Sequence, residues 1–176
     1  MKILIVSTVG MDRNGITTVI MNYYRLCKKD VQFDIVVNNY ISEELKVEFE
    51  EAGSSVYVYQ RKHVLNYIKN LNSLLREKKY DAIHVHGNSS TMSLELILAK
   101  MNNVLIRIAH CHNSECTHKI INKILKPLLN RTKTQALACS KLAGEWLFGN
   151  DFFVLPNGID VGKFSFDLEK KKMLLF

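Results

Sequence analysis

The feature that most constrains the fold is a sevenfold alternation of short apolar runs with helix-like stretches. The first run, residues 2–8, is apolar on both faces of a strand, as a central strand of a parallel sheet requires. Strands that alternate with helices indicate a parallel sheet with helices on both faces. The pattern occupies about 150–160 residues, the usual size of one domain. We therefore predict an α/β, Rossmann-like doubly wound parallel sheet of about seven strands.

The boundaries of the predicted elements follow from this alternation. The predicted strands cover residues 2–8, 31–37, 56–59, 104–109, 135–138 and 152–155, with a fourth strand that begins near residue 81. Helices are predicted over residues 16–28, 42–51, 63–78 and 118–133, with a further helix around Trp146. We assign residues 1–164 to the domain and residues 165–176 to the start of an interdomain linker or a truncated tail.

Composition is typical of a folded protein, with 47% hydrophobic residues, 23% charged residues and two prolines. The apolar run at the N-terminus is too short for a secretory signal or a membrane span. Both observations favour a cytoplasmic location.

The four cysteines are irregularly spaced in a chain large enough to hold a core without disulfides. We expect reduced thiols. Cys111 and Cys116 lie near histidines, but their spacing matches no structural zinc pattern. The residues therefore predict no metal site.

The loop after the first strand ends at Asn14 and Gly15, where a helix begins. A glycine at this position permits close approach of a ligand, and the exposed amides of a helix N-terminus favour an anion such as phosphate. An ordinary helix entry explains the same residues equally well. The Gly-x-Gly-x-x-Gly fingerprint does not follow, which argues against a dinucleotide site.

The fourth strand carries His84 and His86, and strand alternation sends both imidazoles to one face. We interpret His84 as a buried residue that is hydrogen-bonded to a backbone carbonyl. Ligands of open α/β sheets bind at the carboxyl ends of the strands. The residues expected to line this crevice are His86, Gly87, Asn88 and Ser89.

The fifth strand repeats the pattern with His110 and His112, followed by Asn113. Clustered imidazoles at one edge of a sheet are costly unless they are paired or hydrated, which favours a functional interpretation. Of the two histidines, His112 is the stronger candidate for a catalytic role.

A basic amphipathic helix is predicted over residues 118–133, within a chain of net charge +7. One interpretation buries its apolar side in the core, and the other places the helix at a membrane surface. We favour the core for the apolar side, and the basic side could still contact anionic headgroups. The basic residues are Lys119, Lys123, Lys126, Arg131 and Lys133. No nucleic-acid-binding pattern is present in the sequence, so we expect no nucleic-acid partner.

Five segments, in this order, resemble a known family. They are the Asn14-Gly15 turn and residues 81–87, 109–113, 138–141 and 154–164. The order is similar to that of the N-terminal domain of retaining bacterial glycosyltransferases with the GT-B fold, of the family 4-like type that builds capsules and exopolysaccharides. The resemblance covers nearly the whole chain and implies the acceptor-side half of a two-domain enzyme.

The resemblance also implies roles for individual residues. Asn14 and Gly15 would approach the donor diphosphate, although the family often has glycine where this chain has Asn14. His112 would be the catalytic residue near the transferred sugar. The acceptor-binding residues would be His86, Gly87, Asn88, Ser89, His110 and Asn113. The reaction would be hexosyl transfer from a nucleotide-sugar to a glycan or lipid-linked acceptor, by front-face displacement without a bound metal or cofactor.

In the family, the C-terminal domain holds the nucleotide-sugar, and residues 165–176 are too few to form such a domain. We therefore expect this chain alone to be inactive and to require a donor domain in cis or in trans. Two alternatives remain open from the sequence. One is a non-catalytic module that binds glycan or phosphate, and the other is half of a sugar-nucleotide epimerase.

Overall fold

Seven parallel strands form one sheet in the computed structural model, which describes residues 1–158. The strands are β1 (Lys2–Ser7), β2 (Gln32–Asn38), β3 (Val56–Tyr59), β4 (Ala82–Gly87), β5 (Ile106–Cys111), β6 (Gln135–Ala138) and β7 (Phe153–Val154). Their order across the sheet is β3-β2-β1-β4-β5-β6-β7. The predicted doubly wound, Rossmann-like α/β fold is confirmed. The predicted domain end at residue 164 and the segment 165–176 lie outside the described residues.

Six α-helices lie in this part of the chain. They are α1 (Gly15–Cys27), α2 (Glu43–Glu51), α3 (Val64–Lys78), α4 (Ser93–Met101), α5 (Lys119–Thr132) and α6 (Lys141–Phe148), with a 3-10 turn at Ser90–Met92 before α4. None of the helices within residues 1–158 is both long enough and apolar enough to cross a membrane.

Two apolar cores cover the two faces of the sheet. One packs α1 and α2 against β1–β3, where the rings of Tyr24 and Phe49 meet edge to face at 4.5 Å. The other packs α3–α6 against the opposite face, to which β4 contributes Ile83 and Val85. Because side chains alternate along a strand, the even-numbered positions of β4 lie on the face that carries α1. This alternation determines where the histidines point.

Polar side chains cap two of the helices. The Asn14 side chain accepts a hydrogen bond from the Thr17 amide at 3.0 Å, and Ser140 accepts one from the Ala143 amide at 3.2 Å. Ser140 is thus the N-cap of α6. Ser42 occupies the N-cap position of α2 without a side-chain capping bond. Helix α2 instead has two glutamates in its first turn, which interact favourably with the helix dipole.

The loops after β1 and β4 meet at the point where the strand order reverses. Strand β1 pairs with β2 on one side and with β4 on the other. Thr8 donates from its amide and its hydroxyl to the carbonyl of His86, at 3.0 and 2.9 Å. Open α/β sheets bind ligands at the carboxyl edge of such a switch point. The fold therefore places the candidate site beside Thr8 and His86.

Helix α5 corrects the prediction that its apolar side is core. Ile120 and Ile124 are 77% and 68% exposed. Asn122 is buried because its side-chain oxygen accepts a hydrogen bond from the Ser90 amide at 2.7 Å and its carbonyl accepts one from the Ser90 hydroxyl. This polar attachment is consistent with the rotation of the helix, in which Leu129 faces the core, Leu125 is half-buried, and Ile120, Ile121, Ile124 and Leu128 are exposed.

The basic side of α5 also differs in part from the expectation. Lys126 donates to the carbonyl of Trp146 at 2.7 Å, and Lys133 pairs with Asp151. The Lys133 side chain is nearly buried, so these two lysines are held by the domain itself. The remaining three basic residues, Lys119, Lys123 and Arg131, lie on exposed positions.

Candidate functional site

Four histidine rings form a ladder across β4 and the end of β5. Strand pairing places His84 beside Ile108 and His86 beside His110. The rings of His84 and His86 are 4.0 Å apart between centroids, and those of His110 and His112 are 4.2 Å apart. All four rings share the face of the sheet that carries α1. We call this group the histidine ladder.

Hydrogen bonds run across the ladder in two pairs. His86 Nδ1 and His112 Nε2 are 2.9 Å apart, while His84 Nε2 and His110 Nδ1 are 3.3 Å apart. The partner expected for His84 was a backbone carbonyl, and this detail was wrong. The partner is a diagonal neighbour on the next strand: His84 is paired with Ile108, and its ring reaches His110, two residues further along β5.

Burial keeps the ladder neutral. It lowers the pKa of His84 to about 3 and that of His110 to about 2, with smaller effects from the neighbouring rings. Burial also lowers the pKa of His112 to about 4 and holds that of His86 well below its ordinary value. A neutral imidazole carries one N–H donor and one lone pair. The ladder can therefore accept or donate hydrogen bonds at neutral pH, but it supplies no positive charge.

Two nitrogens of the ladder lack partners within the described residues. His110 Nε2 and His112 Nδ1 are both buried and make no hydrogen bond there. A buried polar atom without a partner costs free energy. These two atoms are therefore available for a hydrogen bond to a ligand.

Gly15 lies at the first position of α1, as predicted. A methyl group built on Gly15 would meet nothing within 4 Å, so the helix N-terminus is open to a ligand. Asn14 is more constrained, because its side chain caps α1 and also donates to the Gly10 carbonyl at 3.0 Å. The Asn14 amide also donates to the Asp12 carbonyl at 2.8 Å, so a ligand at this helix N-terminus would meet the backbone of Gly15 and not that of Asn14.

A groove of about 1050 Å³ borders the same edge of the sheet. Its polar wall includes Thr8, Asn88, Ser89, Thr91 and Asn113. Its apolar wall consists of Val64, Leu94, Ile97, Leu125 and Leu128, from α3, α4 and α5. The groove therefore combines hydrogen-bonding groups with an apolar surface, as small-molecule sites commonly do.

The predicted acceptor residues divide into two groups. Asn88, Ser89 and Asn113 line the groove, and the side-chain oxygen of Asn88 is buried without a partner within the described residues. His86 and His110, in contrast, are buried in the ladder. They would influence a ligand only through the rings to which they are hydrogen-bonded, His112 for His86 and His84 for His110.

Gly87 is buried as well, and its role is steric. A methyl group there would lie 2.6 Å from Thr8 Oγ1 and 3.1 Å from the Met92 side chain. Glycine thus allows the loop after β1 to approach β4 closely.

Sequence reasoning missed an ion pair behind the groove wall. Arg61 lines the groove, and its Nε lies 2.9 Å from Glu95 Oε1. Glu95 is fully buried and also accepts a hydrogen bond from Tyr67 at 2.8 Å. Burial alone would lower the pKa of Arg61, but the charge of Glu95 raises it above its ordinary value. The one signal in the sequence was a glutamate within an apolar helix.

The cysteines are free thiols. Burial raises the pKa of the Cys111 thiol to about 12, so Cys111 is no nucleophile at neutral pH.

Residues 13–163 match the family model described as Glycosyltransferase Family 4, which covers most of the chain. The chain belongs to glycosyltransferase family 4. A relative named "Putative glycosyltransferase EpsF", from Bacillus subtilis (strain 168), is 27% identical over 173 residues. That match includes 89% of this chain and 45% of the relative.

Solved structures share the fold of this family 4 chain. Alr3699/HepE of Anabaena in complex with UDP superposes with a TM-score of 0.78 at 15% identity, over 99% of this chain and 50% of that one. S. aureus MnaA with UDP gives a TM-score of 0.61 at 19% identity, over 95% of this chain and 48% of that one. The chain spans about half the length of these relatives. It has the fold of one half of a GT-B glycosyltransferase.

Proposed function

We propose that this chain is the acceptor-side half of a retaining hexosyltransferase, which transfers a sugar from a nucleotide-sugar to a glycan or lipid-linked acceptor. The observation that carries the proposal is the groove lined by Asn88, Ser89 and Asn113 beside His112, in a chain of glycosyltransferase family 4. The family match favours transfer over the epimerase and binding-module alternatives.

The geometry supports separate places for donor and acceptor. Gly15 and the histidine ladder belong to the α1 side of the sheet, whereas the apolar wall of the groove comes from the α3–α5 side. The donor diphosphate would approach the amides at Gly15, since a helix N-terminus favours anions. The acceptor would lie in the groove, with a hydroxyl directed across the edge toward the transferred sugar.

His112 would orient the transferred sugar. Its Nε2 is engaged by His86, so Nδ1, which has no partner within the described residues, is the ring atom that would contact the sugar. Because the imidazole is neutral, its contribution would be hydrogen bonding and not charge. His86 is then a positioning residue that holds the ring of His112. Front-face displacement, with the leaving phosphate taking the acceptor proton, requires no separate protein base and no metal.

The donor would be a nucleotide-sugar, as the complexes of Alr3699/HepE with UDP and with UDP-glucose suggest for a protein of this fold. In the GT-B architecture a second domain holds most of the donor. This chain alone would therefore turn over no measurable donor. Loss of the donor-side contacts removes the electrostatic stabilisation that is usually the largest part of rate enhancement.

The acceptor would be lipid-linked and presented at the inner face of the plasma membrane. The chain would act there from the cytoplasm, in the synthesis of capsule or exopolysaccharide. The outward apolar residues of α5, Ile120, Ile121, Ile124 and Leu128, form a stripe next to the groove. Lys119, Lys123 and Arg131 flank this stripe and would contact anionic headgroups, each contributing on the order of 1 kcal/mol. The chain would thus be a peripheral membrane protein.

The test is a transfer assay on this chain fused to the donor-side domain of a family member. A panel of nucleotide-sugars is supplied and release of the nucleoside diphosphate is measured, because slow hydrolysis of the donor needs no known acceptor. We expect release by the fusion, a loss of at least tenfold in His112→Ala, and no loss in the surface control His63→Ala. Equal rates in all three proteins would remove His112 from the mechanism.

A further inference from the structure

The ring nitrogens of the histidine ladder converge. One nitrogen from each of His84, His86 and His110 lies within 4.8 Å of the other two. An imidazole binds a metal through the lone pair of a ring nitrogen, and each of these rings presents one nitrogen to the shared space. Three convergent imidazoles on rigid, neighbouring strands are a ligand set for a transition metal.

The distance between the two nitrogens differs between the two hydrogen-bonded pairs of the ladder. The 2.9 Å between His86 and His112 is an ordinary hydrogen bond, whereas the 3.3 Å between His84 Nε2 and His110 Nδ1 is long for one. Two nitrogens bound to the same tetrahedral zinc ion at 2.0–2.1 Å are about 3.3–3.4 Å apart. The His84–His110 pair therefore already has the spacing of two zinc ligands.

The remaining contacts fit this assignment. Ligating histidines usually donate their second ring nitrogen to a partner that fixes their orientation. The hydrogen bond between His86 Nδ1 and His112 Nε2 provides such a partner when His86 is the donor. The long contact between His84 and His110 leaves both of its nitrogens available to an ion between the two rings.

We propose that His84, His86 and His110 bind one zinc ion, with His112 orienting His86 from outside the coordination sphere. Zinc is favoured because nitrogen ligands suit it, whereas Mg²⁺ and Mn²⁺ prefer oxygen. A water molecule completes four-coordination. His84 and His112 are half-buried, so the site is reached from solvent. The ion links β4 to β5 and takes no part in the sugar transfer proposed above.

From the sequence, cysteines were considered as metal ligands, whereas the proposed ligands are all histidines. Cys111 and Cys116, whose spacing matches no structural zinc pattern, are not among the three proposed ligands. Cys111 points into the opposite core and its thiol donates to the Asn113 carbonyl. The three ligands come instead from two strands that pair in the sheet.

The first experiment titrates the full chain with Zn²⁺ by calorimetry and with Co²⁺ by visible spectroscopy. We expect one site per chain, cobalt d–d bands typical of nitrogen ligands, and no thiolate charge-transfer band. At a hundredfold excess of zinc over its dissociation constant, the midpoint of thermal unfolding should rise by roughly 5–10 °C. Thiolate bands, or no binding at micromolar metal, would overturn the proposal even if every variant failed to fold.

Variants then identify the ligands. His84→Gln should weaken zinc binding by at least 100-fold, and His112→Ala should weaken it by roughly 10- to 100-fold, as loss of an orienting partner does. The matched controls His63→Gln and His118→Gln change exposed histidines outside the ladder and should bind as the unmodified chain does. Equal affinity in His84→Gln and the controls would refute the site.

Discussion

The ion pair between Arg61 and Glu95 should be one of the strongest polar contributions to stability in this domain. Glu95 is fully buried, and its carboxylate contacts Arg61 Nε at 2.9 Å and the Tyr67 hydroxyl at 2.8 Å. At this separation and an effective dielectric constant near 20, the Coulomb attraction is about 6 kcal/mol, before the cost of desolvation is subtracted. The net value is smaller, because both charged groups lose water on folding.

Removal of one partner leaves the other charge buried. We expect Arg61→Met to lower the free energy of unfolding by about 3–5 kcal/mol, because the Glu95 carboxylate then keeps only Tyr67. The double variant Arg61→Met with Glu95→Leu should lose less than the sum of the two single variants. The predicted coupling energy is about 2–4 kcal/mol, the size expected for groups in direct contact within the interior.

The matched control is the pair Arg25–Glu48 on the surface. Its contacts are shorter, at 2.7 and 2.6 Å, but its side chains are 41% and 26% exposed. Its coupling should be only about 0.5 kcal/mol, since water screens exposed pairs. Urea unfolding followed by circular dichroism measures both cycles. If the coupling energy of Arg61 and Glu95 were no larger than that of Arg25 and Glu48, burial would not be what strengthens the Arg61–Glu95 pair.

Three further predictions concern other parts of the domain. Gly87→Ala should destabilise by about 1–3 kcal/mol in thermal unfolding because its methyl group would meet Thr8 at 2.6 Å, whereas Gly15→Ala, with nothing within 4 Å, should be tolerated. Ile124→Asp should reduce sedimentation with anionic vesicles while changing stability by less than about 0.5 kcal/mol, since the residue is exposed; equal sedimentation would refute the membrane contact. Hydrogen bonds from Tyr80 and Ser55 and the charge of Lys2 outweigh burial and hold the pKa of Asp34 below its ordinary value. The stability that this carboxylate contributes is present above about pH 4 and lost as the pH falls, so Asp34→Asn should flatten the acid limb of a stability–pH profile.

The sheet was predictable because its signal is repeated. Seven apolar runs separated by helix-length segments leave few alternatives to a doubly wound sheet, and the structure adds the strand order and the bounds of α4. The capping role of Ser140 was predictable for a local reason, since an N-cap depends on the residues that immediately follow it. Features that depend only on neighbouring residues can be predicted from the sequence.

Contacts between distant residues were harder to predict. Arg61 and Glu95 are 34 residues apart, and no periodicity relates them. The partner of His84 depended on the register between β4 and β5, which sequence alone leaves open. Strand alternation did predict that His84 and His86 share one face, and this is confirmed.

Helix α5 shows how a tertiary contact overrides periodicity. Its apolar residues follow the helical repeat, yet Asn122 anchors the helix to Ser90 and turns Ile120 and Ile124 outward. An amphipathic pattern predicts that a helix has an apolar face, but it does not predict whether that face packs on the core. The exposed stripe therefore became visible only in the folded structure.

If the groove of this family 4 chain holds a glycan acceptor, a glycan-array measurement on the chain itself will detect the binding. We predict that the chain binds a defined set of glycans and that Asn88→Ala and Asn113→Ala weaken this binding at least fivefold. Asn150→Ala, outside the groove, should change nothing. Glycan binding that the groove variants leave unchanged, or a chain that binds nucleotide-sugar more tightly than any glycan, would show that the groove is not the acceptor site.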